Sequence, residues 1–351
     1  METIIKKIDI HSKKPEDFSK AAYILQQGGL VAFPTETVYG LGADGLNKEA
    51  AKKIYYAKGR PSDNPLILHI ADKDALDVLA IDVPKNAKKL AEKFWPGPLT
   101  IILKKSIQVP KETTGGLNTV AIRMPAHPLA LELIRRSHVF IAAPSANTSG
   151  RPSPTCASHV FEDLNGKIDM ILDGGSVEIG IESTIIDMTS EIPMILRPGF
   201  ITREMIEKEI GTVSYDRVVL LEKPDTHILP KAPGMKYQHY APKGNLCIIE
   251  GKMEQVIDYI SCNVHKKILQ GNRVGIIATE ETKEQYKEGI VKTIGSRKDE
   301  KTILQGLYSV LREFDSLKVE YIYSESFSEG EHGQAIMNRL LKAAGYQKEK
   351  I

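Results

Sequence analysis

Two cationic side chains stand close together in the segment KGRPSDNPL, residues 58–66. Lys58 and Arg60 come just past the end of a predicted helix, and Pro61 and Pro65 stiffen the loop that carries them. A stiff loop loses little conformational entropy when it grips an anion, so this arrangement favours binding of a polyphosphate. The alternative is that both cations only complement the dipole at the C-terminal end of the helix.

A second group of polar side chains follows the ends of predicted strands. Arg123 ends the segment TVAIR, and Arg197 ends PMILR. Ser145 and Asn147 come shortly after the strand VFIAA. Ligands collect at strand ends in open α/β sheets, and the planar fork of arginine suits a carboxylate or a phosphate. Each residue alone is also compatible with an ordinary turn, but their recurrence on one sheet favours a shared anion site.

Signatures of several other chemistries are missing from the sequence. It has no HExxH, no C-x-x-C pair among its three cysteines, no G-x-S-x-G and no Walker A segment. His69, within the apolar segment LILHI, fits either a hydrogen-bonded core residue or a substrate contact. The remaining candidates are cations, hydroxyls and amides. That inventory suits a reaction in which the protein neutralises charge and aligns reactants, as in attack on a phosphate of ATP.

One glycine pattern resembles a dinucleotide-binding loop. Gly40, Gly42 and Gly45 satisfy G-x-G-x-x-G and precede a predicted helix. In the dinucleotide motif the glycines lie at the turn directly after a strand, whereas six residues separate Phe33 from Gly40. We therefore expect these glycines to form a tight loop rather than a nicotinamide site.

The candidate residues require a sheet to position them. Over residues 15–210 the sequence predicts alternating helices and strands, with several strands in direct succession, which favours a mixed sheet. Residues 211–243 are rich in proline and predict a linker. Its second half, PGMKYQHYAP, carries Met235, Tyr237, His239 and Tyr240, so we expect it to dock on another surface. Residues 244–351 predict a βαβαβα succession and hence a small doubly wound domain.

Composition places limits on the kind of protein. The chain has 351 residues, of which 42% are hydrophobic and 26% charged, so we expect a soluble protein of two domains. No apolar run approaches the ~20 residues that cross a bilayer, and the N-terminus lacks a secretion signal. These features predict a cytoplasmic location without membrane association. A net charge of +2 gives no global field that would mark a nucleic-acid binder.

Four motifs resemble one known family. FPTETVYGLG, KGRPSDNPL, TVAIRMP and APSANTSGRPSPT are similar to segments of the threonylcarbamoyl-AMP synthases, whose catalytic part is a YrdC-like domain. PGMKYQHYAP followed by a small α/β domain resembles the long, two-domain form of the family. The resemblance implies a YrdC-like twisted mixed sheet with a concave active-site cavity (1–210), a lid over that site (211–243) and a smaller Rossmann-like domain (244–351).

The resemblance also implies a reaction. L-threonine, bicarbonate and ATP, with Mg²⁺, would give threonylcarbamoyl-adenylate and pyrophosphate. A separate transferase system would then pass the threonylcarbamoyl group to the adenosine beside the anticodon of tRNA. The sequence leaves direct tRNA contact open, and the resemblance implies no bound prosthetic group.

Roles of individual residues follow from the matching motifs. Lys58 and Arg60 are the expected catalytic residues, with no protein ligand for a metal. The residues expected to contact ATP are Lys58, Arg60, Asn64, Thr119, Ser145, Asn147, Ser153, Arg197 and Tyr240. The residues expected to contact threonine are Thr35, His69, Arg123, Ala143 and Ser183.

Two other functions stay open at this point. An RNA-binding YrdC-like protein without adenylation activity would use a basic patch that includes Lys48, Lys52 and Lys53, although a solvated helix face also explains these three lysines. A carbamoyl-adenylate enzyme of the hydrogenase-maturation type would carry acylphosphatase-like and zinc-finger-like parts, which the sequence does not show.

Overall fold

The structure of the chain is a computed structural model that describes residues 2–9, 14–220, 231–233, 240–327 and 329–351. Within these ranges two sheets are present. The larger is twelve-stranded, in the order β1-β9-β2-β3-β8-β4-β7-β6-β10-β11-β12, with β5 beside β6. Its strands are β1 (Ile4–Lys7), β2 (Val31–Phe33), β3 (Gly40–Asp44), β4 (Ile67–His69), β5 (Ala80–Ile81), β6 (Leu99–Lys105), β7 (Thr119–Arg123), β8 (Ile141–Ala142), β9 (Met170–Asp173), β10 (Thr184–Asp187), β11 (Met194–Arg197) and β12 (Ser214–Tyr215).

The larger sheet mixes parallel and antiparallel pairs. Strand β4 is parallel to β7 and β6 is parallel to β10, whereas β6 and β7 are antiparallel. This confirms the predicted mixed sheet. Its last strand, β12, pairs with β11 and lies beyond residue 210, where we placed the end of the first domain. The domain boundaries themselves stay a prediction.

Helices cover the larger sheet. They are α1 (Pro15–Gln26), α2 (Lys48–Lys58), α3 (Ala75–Leu79), α4 (Lys85–Phe94), α5 (Pro128–Ser137), α6 (Ala157–Leu164), α7 (Arg203–Ile210) and α8 (Arg217–Leu220). Helix α2 begins where the Asn47 side chain accepts hydrogen bonds from the backbone of Glu49 and Ala50. It ends at Gly59, whose φ of 61° is the left-handed conformation that glycine adopts without strain. These two signals fix the position of Lys58 and Arg60.

The expectation of a glycine-rich tight loop was wrong. Gly40 and Gly42 belong to β3, which is antiparallel to β2. At Gly42 an added Cβ would lie 2.7 Å from Ile141 and 2.8 Å from Phe33. The glycines therefore let neighbouring side chains approach the strand closely. The G-x-G-x-x-G pattern alone does not distinguish such a strand from a glycine-rich loop.

The smaller sheet is parallel throughout, in the order β15-β14-β16-β13-β17. Its strands are β13 (Asn245–Glu250), β14 (Val274–Ala278), β15 (Ile290–Thr293), β16 (Tyr321–Glu325) and β17 (Lys348–Lys350), and its helices are α9 (Met253–Leu269), a 3₁₀ turn (Lys283–Gln285), α10 (Glu300–Ser316) and α11 (Gly333–Ala343). Ile248 packs with α10 and α11, while its neighbour Ile249 packs with α9. Because successive strand residues face opposite sides, helices cover both faces, which confirms the predicted doubly wound domain.

One apolar cluster joins the two sheets. Leu304 and Tyr308 of α10 belong to this cluster. So do Tyr240 and two residues that lie just before strands of the larger sheet, Val38 before β3 and Ile181 before β10. The α10–α11 side of the smaller domain is therefore buried against the larger one. Within the described part of the chain, no helix combines the length and apolar character needed to cross a membrane.

Candidate active site

A cavity beside the larger sheet is lined by most of the predicted site residues. It is lined by Thr35, Thr37, Val38, Gly40, Arg60, Ile67, His69, Arg123, Ala143, Pro144, Ser145, Asn147, Glu182, Ser183, Arg197, Pro233 and Tyr240. Four predicted residues, Lys58, Asn64, Thr119 and Ser153, lie outside this lining.

Strand β4 contributes two residues to the lining of the cavity. Ile67 and His69 are two residues apart and so face the same side of the sheet. His69 lies in register with Arg123 on parallel β7. At the other end of β4, the backbone N–H of Ala143 donates to Ile67 O at 2.9 Å. Ser145 follows Ala143 by two residues and so lies near this end. Arg123 and Ser145 thus mark opposite ends of one cavity.

The pairing of β10 and β11 brings two more residues to the Arg123 end. Strand β10 is parallel to β6, and β6 is antiparallel to β7, so β10 begins at the edge of the sheet where β7 ends. Ser183 directly precedes β10, and Arg197 ends β11, which is antiparallel to β10. The Arg197 Nε donates to Ser183 O at 3.1 Å, and Nη2 donates to Ser183 Oγ at 3.2 Å.

The Arg123 guanidinium is held by three first-domain groups. Its Nη1 donates to Thr37 Oγ1 at 2.9 Å, its Nε donates to Gly97 O at 3.3 Å, and its Nη2 lies 2.7 Å from Glu36 Oε1. Each Nη nitrogen carries a second N–H, so the fork retains donors for a ligand carboxylate. Glu36 was not predicted as a site residue, although it lies inside the motif FPTETVYGLG.

Arg60 and Arg197 are buried cations that donate hydrogen bonds mostly to carbonyls. Arg60 donates to Asn64 O and Pro65 O, at 3.2 and 3.0 Å. Burial lowers the pKa of Arg60 to about 10, and burial also lowers the pKa of Arg197. Removing a charge from water is costly, so an anion bound beside these groups would recover part of the lost solvation.

Lys58 does not line the cavity but contacts the loop whose residues Ser145 and Asn147 do. Its Nζ donates to Ser145 O at 2.5 Å and also to Asn147 O. Burial, together with nearby Arg60, holds the pKa of Lys58 well below its ordinary value. Lys58 therefore ties the end of α2 to the loop that carries Ser145 and Asn147.

The other predicted residues outside the lining differ in position. Asn64 supplies the carbonyl that Arg60 contacts. Ser153 donates to Glu182 Oε1. Thr119 begins β7 and Arg123 ends it, so the two are about 13 Å apart at 3.3 Å per residue. A role for Thr119 at the Arg123 end of the cavity is thereby disfavoured, and its contact to a nucleotide stays a prediction.

The position of His69 is compatible with both interpretations that the sequence left open, a hydrogen-bonded core residue and a substrate contact. It is buried within β4, and it also lines the cavity. Its Nδ1 lies 3.1 Å from Ile67 O, which favours the tautomer in which Nδ1–H donates and Nε2 accepts. Burial and the neighbouring Arg123 lower the pKa of His69 to about 3, so the ring is neutral at physiological pH.

Glu182 is the main residue that the sequence analysis missed. It lines the cavity, and its Oε2 accepts hydrogen bonds from Tyr308 Oη and Arg339 Nε, both at 2.9 Å. Burial alone would raise the pKa of this carboxyl, but Arg339 and Arg197 lower it to about 2. Its position beside Ser183 in the segment ESTIID was the available signal.

Tyr240 joins the cavity to the smaller domain. It lines the cavity, and its ring centroid lies 5.2 Å from that of Tyr308 on α10. The N–H of Ala241 donates to Gly150 O at 2.9 Å, which fixes the chain after Tyr240. Met235, Tyr237 and His239, which we expected to dock, lie outside the described residues.

A twisted mixed sheet around a cation-rich cavity, backed by a Rossmann-like domain, defines a YrdC-like α/β enzyme of the two-domain class. The Sua5–YciO–YrdC family model, described as "Telomere recombination", matches residues 23–199, and the model "Threonylcarbamoyl-AMP synthase, C-terminal domain" matches residues 201–345. The chain belongs to the threonylcarbamoyl-AMP synthase family, in its long two-domain form. Its members are ATP-using, adenylyl-transferring enzymes, and this chain is one of them.

Individual relatives cover nearly the whole chain. The threonylcarbamoyl-AMP synthase of Bacillus subtilis is 50% identical, over 95% of this chain and 94% of its own length. That of Pyrococcus abyssi is 49% identical, over 94% of this chain and 95% of its own length. The crystal structure of P. abyssi Sua5 complexed with L-threonine superposes with a TM-score of 0.94 at 47% identity, covering 99% of this chain and 100% of that one.

Proposed function

We propose that this enzyme converts L-threonine, bicarbonate and ATP to threonylcarbamoyl-adenylate and pyrophosphate. The observation that carries the proposal is one continuous cavity with Arg123 at one end and the Arg60 and Ser145 loops at the other. Two anionic reactants are proposed to bind side by side in this cavity. The solved relative with L-threonine supports the amino-acid half of this assignment.

The Arg123 end is the proposed threonine pocket. The Arg123 fork would bind the α-carboxylate. Neutral His69 and the Thr35 hydroxyl would contact the amino-acid side chain or amine. Ala143 and Ser183 would form the remaining walls of the pocket. Charge neutrality of His69 matters here because a protonated ring would repel a substrate ammonium group.

The opposite end is the proposed nucleotide pocket. Arg60 at this end, together with Arg197 reaching toward it from the Arg123 end, would neutralise the triphosphate, and Ser145 and Asn147 would contact it. Tyr240 would cover the bound nucleotide. We assign Lys58, Asn64, Thr119 and Ser153 to the same nucleotide site, with Lys58 and Ser153 acting through the loops that they hold in place.

The proposed chemistry proceeds in two steps. The threonine nitrogen attacks the carbon of bicarbonate, and water leaves to give a carbamate. A carbamate oxygen then attacks the α-phosphorus in line, and pyrophosphate departs. Both reactants of the second step are anions, so Lys58, Arg60 and Arg197 lower the barrier by offsetting their repulsion and fixing their alignment. No protein nucleophile takes part.

Magnesium is proposed to enter with ATP. Among the described lining residues the carboxylate is Glu182, and both of its oxygens already accept hydrogen bonds. The cavity therefore fits an ion held chiefly by substrate phosphates, a common mode for Mg²⁺. Bound there, the ion would add positive charge to that of Arg60 and Arg197.

Residues 211–243 are proposed as a lid between the catalytic part (1–210) and the smaller domain (244–351). Two described residues of this segment support the proposal. Tyr240 lines the cavity, and Pro233 O accepts a hydrogen bond from Arg197 Nη1 at 3.3 Å. A lid would exclude water and retain a labile adenylate.

The product has a proposed destination outside this chain. We propose a cytoplasmic transferase system that passes the threonylcarbamoyl group to the adenosine beside the anticodon of tRNA. A mixed anhydride with AMP is an activated acyl donor, so a consuming transferase is chemically required. Direct tRNA contact by this chain is a separate hypothesis, tested by binding.

The deciding experiment measures pyrophosphate release with each substrate omitted in turn. The proposal predicts release only when ATP, L-threonine and bicarbonate are all present. Release that ignores threonine would contradict it. The RNA-binding alternative predicts salt-sensitive binding of tRNA without any turnover, measured on the same preparation.

A further inference from the structure

We propose that two arginines of the smaller domain, Arg312 and Arg339, are positioning residues for the nucleotide half of the cavity. This inference rests on the proposed function. Both arginines are contributed by helices that pack on the larger domain, α10 and α11, and neither lines the cavity. Arg312 contacts the segment of residues 145–153 directly, whereas Arg339 acts on it through Glu182; this segment carries Ser145, Asn147 and Ser153.

Arg339 acts through Glu182. The arginine is fully buried, its Nε donates to Glu182 Oε2 at 2.9 Å, and its Nη2 donates to Glu182 O at 3.4 Å. Tyr308 Oη donates to the same oxygen, Oε2, at 2.9 Å. The other oxygen, Oε1, accepts from Ser153. The smaller domain thereby fixes the Glu182 carboxylate, which in turn holds Ser153 at the end of the segment.

Arg312 holds the same segment at a second place. It is 2% exposed, and its Nη2 donates to Pro152 O at 2.6 Å and to Asp163 Oδ2 at 2.9 Å. The Asp163 carboxylate accepts from the backbone N–H of Thr148 at 3.1 Å and pairs with Arg151. This network is independent of Glu182, and it connects Arg312 to the middle of the segment.

Residues 145–153 contain neither helix nor strand, so hydrogen bonds to other segments hold them in place, and those made by the two arginines are among them. Lys58 holds its first residues from the larger domain, and the two arginines hold its middle and end. Arg123, at the threonine end, is held by Thr37, Glu36 and Gly97 of the larger domain. Loss of either smaller-domain arginine should therefore weaken nucleotide binding selectively.

Arg339 has a further electrostatic task. Without it, Glu182 would keep a buried negative charge in the cavity that is proposed to receive a triphosphate. The repulsion between two anions adds to the loss of position. Substitution by methionine should thus be worse than substitution by lysine, which keeps the charge but lacks the planar fork.

The test uses the full-length protein with Arg339→Met, Arg339→Lys, Arg312→Met and, as a matched control, Lys292→Met. Lys292 belongs to the same domain and forms an exposed pair with Glu313 at 2.7 Å. Calorimetry measures binding of a non-hydrolysable ATP analogue and of L-threonine separately, and thermal unfolding reports on the fold. For Arg339→Met and Arg312→Met we expect an analogue Kd about 10–100-fold higher, as for a misplaced binding group, with threonine Kd within about threefold.

Partial recovery in Arg339→Lys and no change in Lys292→Met complete the expected pattern. An unchanged analogue Kd in Arg339→Met and Arg312→Met would overturn the inference. Equal loss of both ligands, or loss that tracks a lowered Tm, would also overturn it because the arginines would then be structural only. If Arg339→Met does not fold, Arg339→Lys and Arg312→Met decide by the same criteria. Failure of the unsubstituted protein to bind either ligand would instead refute the proposed function.

Discussion

Lys58 shows how a buried cation can serve an active site without touching the cavity. Its ammonium group donates to two carbonyls of the neighbouring loop, and its pKa is lowered by burial and by Arg60. Its Nζ lies against the backbone of Ser145 and Asn147, beside the proposed triphosphate site, where a bound triphosphate would favour the charged form. Both its charge and its hydrogen bonds therefore contribute to one task.

Lys58→Ala should lower pyrophosphate release by about 10²–10³-fold, the usual cost of removing one well-placed donor. The variant should remain folded, as judged by circular dichroism. Lys52→Ala, on the exposed face of the same helix and paired with Glu49 at 2.9 Å, is the matched control and should keep full activity. Full activity in Lys58→Ala would show that the assignment is wrong.

The neutral His69 makes a prediction about pH. Its pKa is about 3 in the folded protein and 6.5 ordinarily, so the folded state resists protonation that the unfolded chain accepts. A group with a lowered folded pKa of this kind contributes full stability above pH 6.5 and loses it as pH falls toward 3. Between pH 6.5 and 4.5, the loss amounts to roughly 2–3 kcal/mol.

Urea unfolding at those two pH values should therefore show a smaller pH-dependent loss for His69→Gln than for the unsubstituted protein. The difference in the change of unfolding free energy should be roughly 2–3 kcal/mol. His138→Gln, at a residue that follows α5, provides the comparison for loss of a histidine elsewhere. Identical pH dependence in the His69 variant and the unsubstituted protein would mean that His69 is not held neutral.

At the scale of elements, the sequence could predict what local signals specify. Asn47 and Gly59 bracket α2 in the structure as their residue types indicate, and the parallel strands of the smaller domain follow from their apolar runs. Strand β3 was missed because glycine is permissive in turns and in crowded strands alike, and only the neighbours Phe33 and Ile141 distinguish the two. Those neighbours are known only from the fold.

Gly42→Ala tests the crowded strand. The new methyl group would meet Ile141 and Phe33 at less than van der Waals distance, so we expect a loss of about 1–3 kcal/mol in unfolding free energy. Denaturant unfolding at neutral pH measures it. Because β3 pairs with both β2 and β8, activity should fall together with stability. Unchanged stability would indicate that these residues form the tight loop that the sequence suggested.

At the scale of the whole molecule, both domains support the cavity, although the residues that line it all precede residue 244. Glu182 and Arg339 are 157 residues apart in the chain, yet their side chains form a buried ion pair. No local pattern in a single sequence specifies such a pairing, although the segment ESTIID contains Glu182 directly beside the predicted residue Ser183. The residues that line the cavity could be predicted from motifs, whereas the residues that hold them in place are known only from the fold.

Tyr240 makes the corresponding prediction about coupling. Its ring packs on Tyr308 and lines the cavity, so Tyr240→Ala should open a path for water and allow hydrolysis of the adenylate. We expect more AMP released per threonylcarbamoyl group transferred, measured by chromatography of the products. Tyr240→Phe keeps the ring and should remain close to normal. A Tyr240→Ala enzyme that wastes no ATP would argue against a covering role.

The most direct test of the whole account is a crystal structure with L-threonine and a non-hydrolysable ATP analogue bound together. The account predicts the threonine carboxylate on Arg123 and the triphosphate between Arg60 and Arg197, with the amine facing the α-phosphate across an unobstructed gap. Ligands in two unconnected pockets, or a triphosphate away from both Arg60 and Arg197, would contradict it.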